Sequence, residues 1–355
     1  MSSPYWSDCV HGLRPYQPGE QPKQQDLIKL NTNENPYPPS PQVLKLINDD
    51  AVNALRLYPD PENSQLKNTV ANYFAVDQNQ VCLGNGSDEI LAFAFQGLLK
   101  HSKPVLFPDI SYGFYPVYCR LFDIDYIELA LTDDFSINLA DYQRENGGVI
   151  FPNPNAPTGI GKGLDEIEAL LNSNTDSVVI VDEAYVDFGL QSAASLIDRY
   201  PNLLVVQTLS KSRSLAGSRV GYALGNAALI EALERVKNSF NPYSVDRLAE
   251  LAATAAIADN DYFNHCRQKI IDTREWTVAQ LQALGFEILP SMANFIMVKP
   301  TTISAATLFA QLREHKILVR YFQKPRIDKY LRISIGTDQD MQALVAALKT
   351  ICGNC

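Results

Sequence analysis

Val178-Val179-Ile180-Val181-Asp182-Glu183-Ala184-Tyr185 and, further on, Leu203-Leu204-Val205-Val206-Gln207-Thr208-Leu209-Ser210-Lys211 are two apolar runs that each end abruptly in polar and charged side chains. Both runs are short, rich in β-branched residues and apolar without alternation, which is the pattern of a strand covered on both faces. Similar runs occur at Val81 to Gly84, Val105 to Phe107, Tyr126 to Leu129, Val149 to Phe151 and Val220 to Leu224. Helical periodicity fills several gaps between them, at Glu89 to Leu99, Leu164 to Leu171 and Ala227 to Asn238. Strands alternating with helices predict a three-layer α/β/α domain on a mainly parallel sheet.

Beyond helical stretches at Val245 to Ala258 and Tyr262 to Leu284 the pattern changes. Strand candidates Phe295 to Val298, Ile317 to Val319 and Leu331 to Ile335 alternate with helices Ala305 to His315 and Met341 to Ile351, as in a smaller α+β domain. The expected division is an amino-terminal segment over 1–45 packing with the small domain, a large domain over 46–270 and the small domain over 271–355.

Composition narrows the function. A chain of 355 residues with 46% hydrophobic residues can bury more than one core. A net charge of −10 leaves no basic surplus for nucleic-acid phosphates, so small-molecule substrates are expected. The first 25 residues lack the basic-then-apolar order of a signal peptide, and no apolar run is long enough to span a bilayer, which points to the cytoplasm and away from membranes. Six scattered cysteines suggest reduced thiols, with Cys352 and Cys355 forming one C-x-x-C that reads as a frayed tail, and four isolated histidines offer no metal cluster.

In α/β sheets ligands gather beyond the carboxyl ends of strands. Asp182 and Tyr185 follow one strand there, and Thr208, Ser210 and Lys211 follow another, with Arg219 eight residues on. A carboxylate favours the protonated form of a ring nitrogen, as an electron-accepting ring requires, and a lysine amine can capture an aldehyde. Leu83-Gly84-Asn85-Gly86-Ser87-Asp88 leaves a strand and opens a helix, so its amides and the helix dipole suit a phosphate. A dinucleotide loop competes for that motif, but the third glycine of its fingerprint is replaced by Glu89. Taken singly, Asp182 reads as a helix cap, Lys211 as a solvated side chain and Tyr185 as packing; their conjunction at strand ends is what suggests a site.

At these residues the sequence resembles the fold-type I enzymes that use pyridoxal 5'-phosphate (PLP), and among them it looks like the histidinol-phosphate aminotransferases. The resemblance runs from Leu13-Arg14-Pro15-Tyr16 to Leu331-Arg332-Ile333-Ser334 and includes Leu30-Asn31-Thr32-Asn33-Glu34-Asn35-Pro36, Arg56-Leu57-Tyr58-Pro59 and Asn153-Pro154-Asn155-Ala156-Pro157-Thr158-Gly159. It implies that Lys211 bonds the cofactor aldehyde, Asp182 pairs with the ring nitrogen and Tyr185 bonds the ring hydroxyl, with Tyr112 stacked on the ring. Gly86, Ser87, Asp88, Thr208, Ser210 and Arg219 would hold the phosphate, with Tyr58 reaching in from the second subunit of a homodimer. Arg332 would clamp a substrate carboxylate, and Arg320, Tyr16 and Asn33 would complete the substrate side. The family commonly has Asn immediately before Pro-Thr-Gly, where this chain has Ala156; either Asn155 shifts in or the contact is lost. The implied reaction is transfer of the amino group of histidinol phosphate to 2-oxoglutarate. The alternatives are a threonine-phosphate decarboxylase, an aromatic aminotransferase and a catalytically silent PLP-binding domain.

Overall fold

The computed structural model describes residues 3–17, 19–21 and 26–353. Seven strands build the large sheet: β1 (Val81–Asn85), β2 (Val105–Pro108), β3 (Tyr126–Leu129), β4 (Gly148–Pro152), β5 (Val179–Asp182), β6 (Leu203–Thr208) and β7 (Val220–Gly225). Their spatial order is β1-β7-β6-β5-β4-β2-β3. Every neighbouring pair is parallel except those of β7, which runs antiparallel to both β1 and β6.

The unbroken apolar runs now have their cause. Along β4, β5 and β6 successive side chains alternate between two cores. Val149, Phe151, Val179, Val181, Leu203 and Val205 enter one, while Ile150, Ile180, Leu204 and Val206 enter the other. The first core is roofed by α1 (Ser64–Phe74), through Leu66 and Val70, and by the helices Leu164–Ser173 and Arg247–Ala258. The second is covered by α2 (Gly86–Ala94) and α3 (Tyr115–Phe122), through Ile90, Leu91, Tyr115 and Tyr118, and by the helix Ala227–Phe240. The result is the expected α/β/α sandwich. Helix α1 and a short helix at Pro41–Leu46 precede β1, in a stretch where no element was expected.

A second sheet of four antiparallel strands follows: β8 (Glu287–Ile288), β9 (Phe295–Lys299), β10 (Arg320–Tyr321) and β11 (Leu331–Ser334), ordered β10-β11-β9-β8. It packs on helices Asn260–Ala283, Ala305–Glu314 and Asp338–Gly353 around Ile296, Val298, Leu331 and Ile333. Of the run expected as a strand, Ile317 to Val319, only Ile317–Leu318 forms one, and a separate strand begins at Arg320. Ile317–Leu318 pairs in parallel with Ile28–Lys29 from the amino-terminal segment, whereas Arg320–Tyr321 joins the antiparallel sheet. Cys355 lies outside the described residues. Among the described residues no helix is long and apolar enough to cross a membrane.

The antiparallel β7 has a direct consequence for the rim of the sheet. It starts where its parallel neighbours end, pairing Gly221 with Thr208 and Val220 with Asn85. Arg219, just before it, therefore stands at the same rim as Asp182, Ser210 and Ser87. Contact there is close: a Cβ on Gly221 would lie 2.3 Å from the Ser87 amide nitrogen. Gly221→Ala must push β7 from the first turn of α2, where the Gly86 and Ser87 backbone would meet the new methyl, at a cost of about 1–3 kcal/mol. Urea unfolding should show that loss, whereas Gly217→Ala, whose Cβ would meet open space, should unfold at the native midpoint.

Candidate active site

Two cavities meet at the rim. One, of about 320 Å³, is lined by Ser87, Asp88, Tyr112, Asp182, Tyr185, Thr208, Ser210, Lys211 and Arg219, together with Gln21, Thr32, Glu34, Pro152, Ala156, Ala184 and Ala216. The other, of about 370 Å³, shares Thr32, Tyr112, Ala156, Tyr185 and Lys211 and adds Tyr16, Asn33, Arg320 and Arg332. Asp182 and Lys211 thus face one space, with a second space opening beside the lysine. A larger cavity of about 610 Å³ lies at the opposite rim, near the starts of β2, β4, β5 and β6, and holds none of the residues singled out from sequence.

In the first cavity Asp182 is buried at the tip of β5. Its Oδ2 accepts a hydrogen bond of 2.8 Å from the Tyr115 phenol and its Oδ1 one of 3.3 Å from the Ala184 amide. Burial pushes its carboxyl up to about 6, against the pull of those two donors and with the negative charge of Asp88 adding to the rise. Lys211 Nζ donates to the Thr32 carbonyl at 3.3 Å and lies 5.9 Å from the centre of the Tyr185 ring. The Asn35 amide holds the Lys211 carbonyl at 2.9 Å, so the 31–35 segment secures the lysine at both ends.

The far wall is an anion cradle. Ser87 and Asp88 occupy the first turn of α2, where free amides and the helix dipole favour negative charge. Arg219 closes the cradle, donating to Ser210 Oγ at 3.3 Å and to Asp88 Oδ2 at 3.0 Å. Thr208 Oγ1 donates to Ser210 Oγ at 2.9 Å. Gly86 has φ of +80°, and a Cβ there would lie 2.4 Å from the Arg219 guanidinium, so glycine lets the arginine lie flat on the loop. Gly86 itself supports the cradle from beneath and is absent from the cavity wall. Arg219 and Asn33 have left-handed backbones, with φ of 53° and 57°. Such conformations are unfavourable for side-chain-bearing residues and tend to be kept at functional positions.

The second cavity is strongly cationic. Arg320 on β10 and Arg332 on β11 are direct cross-strand partners, and Lys324 lines the same space, whose walls contain no Asp or Glu among the described residues. Like charges directly opposite repel. Burial lowers the proton affinity of Arg332 and the facing Arg320 adds to that effect. One guanidinium nitrogen of Arg332 donates to the Asn31 carbonyl at 2.9 Å, while its Nε is buried with no acceptor. Burial also raises the Tyr16 phenol, which Arg320 and Arg332 pull back down. Asn33 ties the two cavities together. Its amide donates to the Tyr185 phenol at 3.0 Å, and Ser334 Oγ donates to its Oδ1 at 2.9 Å.

Besides Gly86, two residues singled out from sequence stand outside the cavity walls. Asn155, the neighbour of Ala156, lines neither cavity. Its amide is turned inward to Ile110 O and Thr158 Oγ1, at 3.0 and 3.1 Å, and the methyl of Ala156 faces both cavities in its stead. Tyr58 is exposed, stacked on Tyr243 at 4.8 Å, and lies outside both cavities of its own chain. Conversely, Thr32, Lys324 and Tyr115 were not singled out. Thr32 lies within the run Leu30 to Pro36, whereas the three-residue spacing of Tyr115 from Tyr112 and Tyr118 reads as packing alone.

The aminotransferase class I and II family model matches residues 25–348. Histidinol-phosphate aminotransferase 1 of Hydrogenovibrio crunogenus is 59% identical over 349 residues, covering 98% of each chain. Histidinol-phosphate aminotransferase 1 of Pseudomonas fluorescens is 60% identical over 346 residues, covering 98% of this chain and 99% of its own. The crystal structure of histidinol-phosphate aminotransferase from Sinorhizobium meliloti, in complex with pyridoxal-5'-phosphate, superposes with a TM-score of 0.88 at 24% identity over 99% of both chains.

The raised Asp182 carboxyl has a measurable consequence. The folded chain holds this proton to higher pH than the unfolded chain does, so ionisation in place costs stability as pH rises through about 6. In protein freed of small molecules, Asp182→Asn should match the native chain near about pH 4 and exceed its stability by about 1–3 kcal/mol above pH 7. Urea unfolding across that range reads the difference; a gap that does not widen with pH would contradict the assignment.

Proposed function

The chain belongs to the aminotransferase class I and II family, and from that membership we propose that it transfers the amino group of histidinol phosphate to 2-oxoglutarate, giving imidazole-acetol phosphate and glutamate in histidine biosynthesis. One observation carries the substrate reading. The cavity beside Lys211 presents Arg320 and Arg332 directly opposite each other with no acidic lining among the described residues, an arrangement that a phosphoester dianion relieves. Histidinol phosphate has no carboxylate, so Arg332 would take its phosphoester in one half of the cycle and the α-carboxylate of glutamate in the other. A planar guanidinium suits both anions.

PLP fits the first cavity by the chemistry of the donor set: an amine, a buried carboxylate, an aromatic wall and an anion cradle, all facing one space. When bound it supplies an aldehyde that joins amines reversibly and a protonated ring that draws electrons from the amine-bearing carbon. Ser87, Asp88, Thr208, Ser210 and Arg219 would hold its phosphate, Tyr112 its ring face, Asp182 its ring nitrogen and Tyr185 its hydroxyl. Lys211 Nζ is both its anchor and the base that takes the proton from the substrate's amine-bearing carbon. Asn33, bonded to Tyr185 and Ser334, keeps the phenol in place between the two cavities.

The reading includes a soluble cytoplasmic homodimer with shared sites. Leu44, Leu57, Tyr58 and Phe240 are large apolar side chains left exposed, and the stacking of Tyr58 on Tyr243 presents its ring outward. Tyr58 would thereby serve the partner's cradle.

The direct test is an absorbance scan of protein loaded with PLP, before and after histidinol phosphate. The native band should change on addition, and Lys211→Ala should lack both the lysine-bound band and turnover. Arg320→Ala should raise KM for histidinol phosphate by about tenfold or more, the worth of a charged hydrogen bond. An equal effect on unphosphorylated aromatic amino acids would overturn the phosphate assignment. A native enzyme that prefers those amino acids would make the chain an aromatic aminotransferase.

A further inference from the structure

Three tyrosines at three-residue spacing, Tyr112, Tyr115 and Tyr118, turn their hydroxyls toward the acidic residues of the first cavity. Tyr112 donates to Asp88 Oδ1 at 2.6 Å, Tyr115 to Asp182 Oδ2 at 2.8 Å and Tyr118 to the Asp88 carbonyl at 2.7 Å. Tyr115 and Tyr118 share one side of α3, and Tyr112 lies three residues before the helix begins. Tyr115 is fully buried, and its ring packs among Phe95, Phe107 and Tyr112 at centroid distances of 6.2, 5.8 and 5.7 Å. A phenylalanine would fill the same space, so the hydroxyl earns its place through one contact, the carboxylate.

We propose that Tyr115 is a positioning residue for the reaction: its phenol occupies one oxygen of Asp182 and holds that carboxylate charged and oriented in the cofactor cavity. The inference rests on the PLP reading above. Asp182 needs such support. It is desolvated and shares its cavity with the acidic Glu34 and Asp88 as well as with Tyr112, Tyr185, Lys211 and Arg219, and Glu183 follows it in the chain. Asp88 pushes it toward the neutral form, and Tyr115 opposes that push. The phenol is itself kept protonated, and so a donor, by its burial and by Asp182.

The test measures PLP affinity from pH 5 to 9 for the native protein, Tyr115→Phe and Tyr118→Phe, with the visible spectrum of each. Tyr115→Phe should bind PLP about tenfold or more weakly at neutral pH, and the acidic limb of its binding curve should move up by about one pH unit. Its kcat should fall more than its KM rises. Tyr118→Phe loses a buried hydroxyl from the same helix but not from the carboxylate, and should leave the limb in place. An unmoved limb in Tyr115→Phe, or an equal shift in Tyr118→Phe, would overturn this inference alone. Native protein that bound no PLP would overturn the parent reading and this inference with it.

Discussion

The site depends on a constraint of strand direction. Parallel strands end at one rim, so β1, β2, β4, β5 and β6 deliver there whatever follows them in sequence. The single antiparallel strand, β7, begins at that rim and adds Arg219. The hydrogen-bonded ladder fixes the spacing of the strands, and two packed cores, one on each face, keep the ladder rigid.

On that frame opposing electrostatic choices sit side by side. The first cavity spends stability on a desolvated carboxylate, and the second on two facing guanidiniums. Each arrangement is unfavourable in the bare protein and becomes favourable when a group of opposite charge is bound. Sites of this kind sacrifice stability for function, and the sacrifice here is confined to a rim between two well-packed domain cores. The 31–35 segment couples them, because Thr32 touches Lys211 while Asn33 touches Tyr185 and Ser334.

How much of this was legible in the sequence follows from what each feature needs. Apolar runs ending in charge need only local reading, and the seven strands with Asp182, Ser210 and Lys211 at their tips were visible in that way. The facing of Arg320 and Arg332 needs a register between strands separated by a loop, which the chain does not display. Tyr115 was hidden for another reason: a buried aromatic on a helix reads as core packing, and only its hydroxyl partner reveals a second role. The segment Asn153 to Gly159 left two possibilities open, because the side-chain partners of Asn155, Ile110 and Thr158, are set by tertiary contacts that the sequence does not display.

The central claim is that one carboxylate and one amine grip opposite sides of a single aromatic aldehyde. A crystal structure of the protein grown with PLP tests it most directly. The account predicts continuous density from Lys211 Nζ to the cofactor, the ring nitrogen within hydrogen-bond distance of Asp182, and the phosphate on Ser87, Ser210 and Arg219. Density for the cofactor at the opposite rim, or a ring whose nitrogen faces away from Asp182, would contradict it.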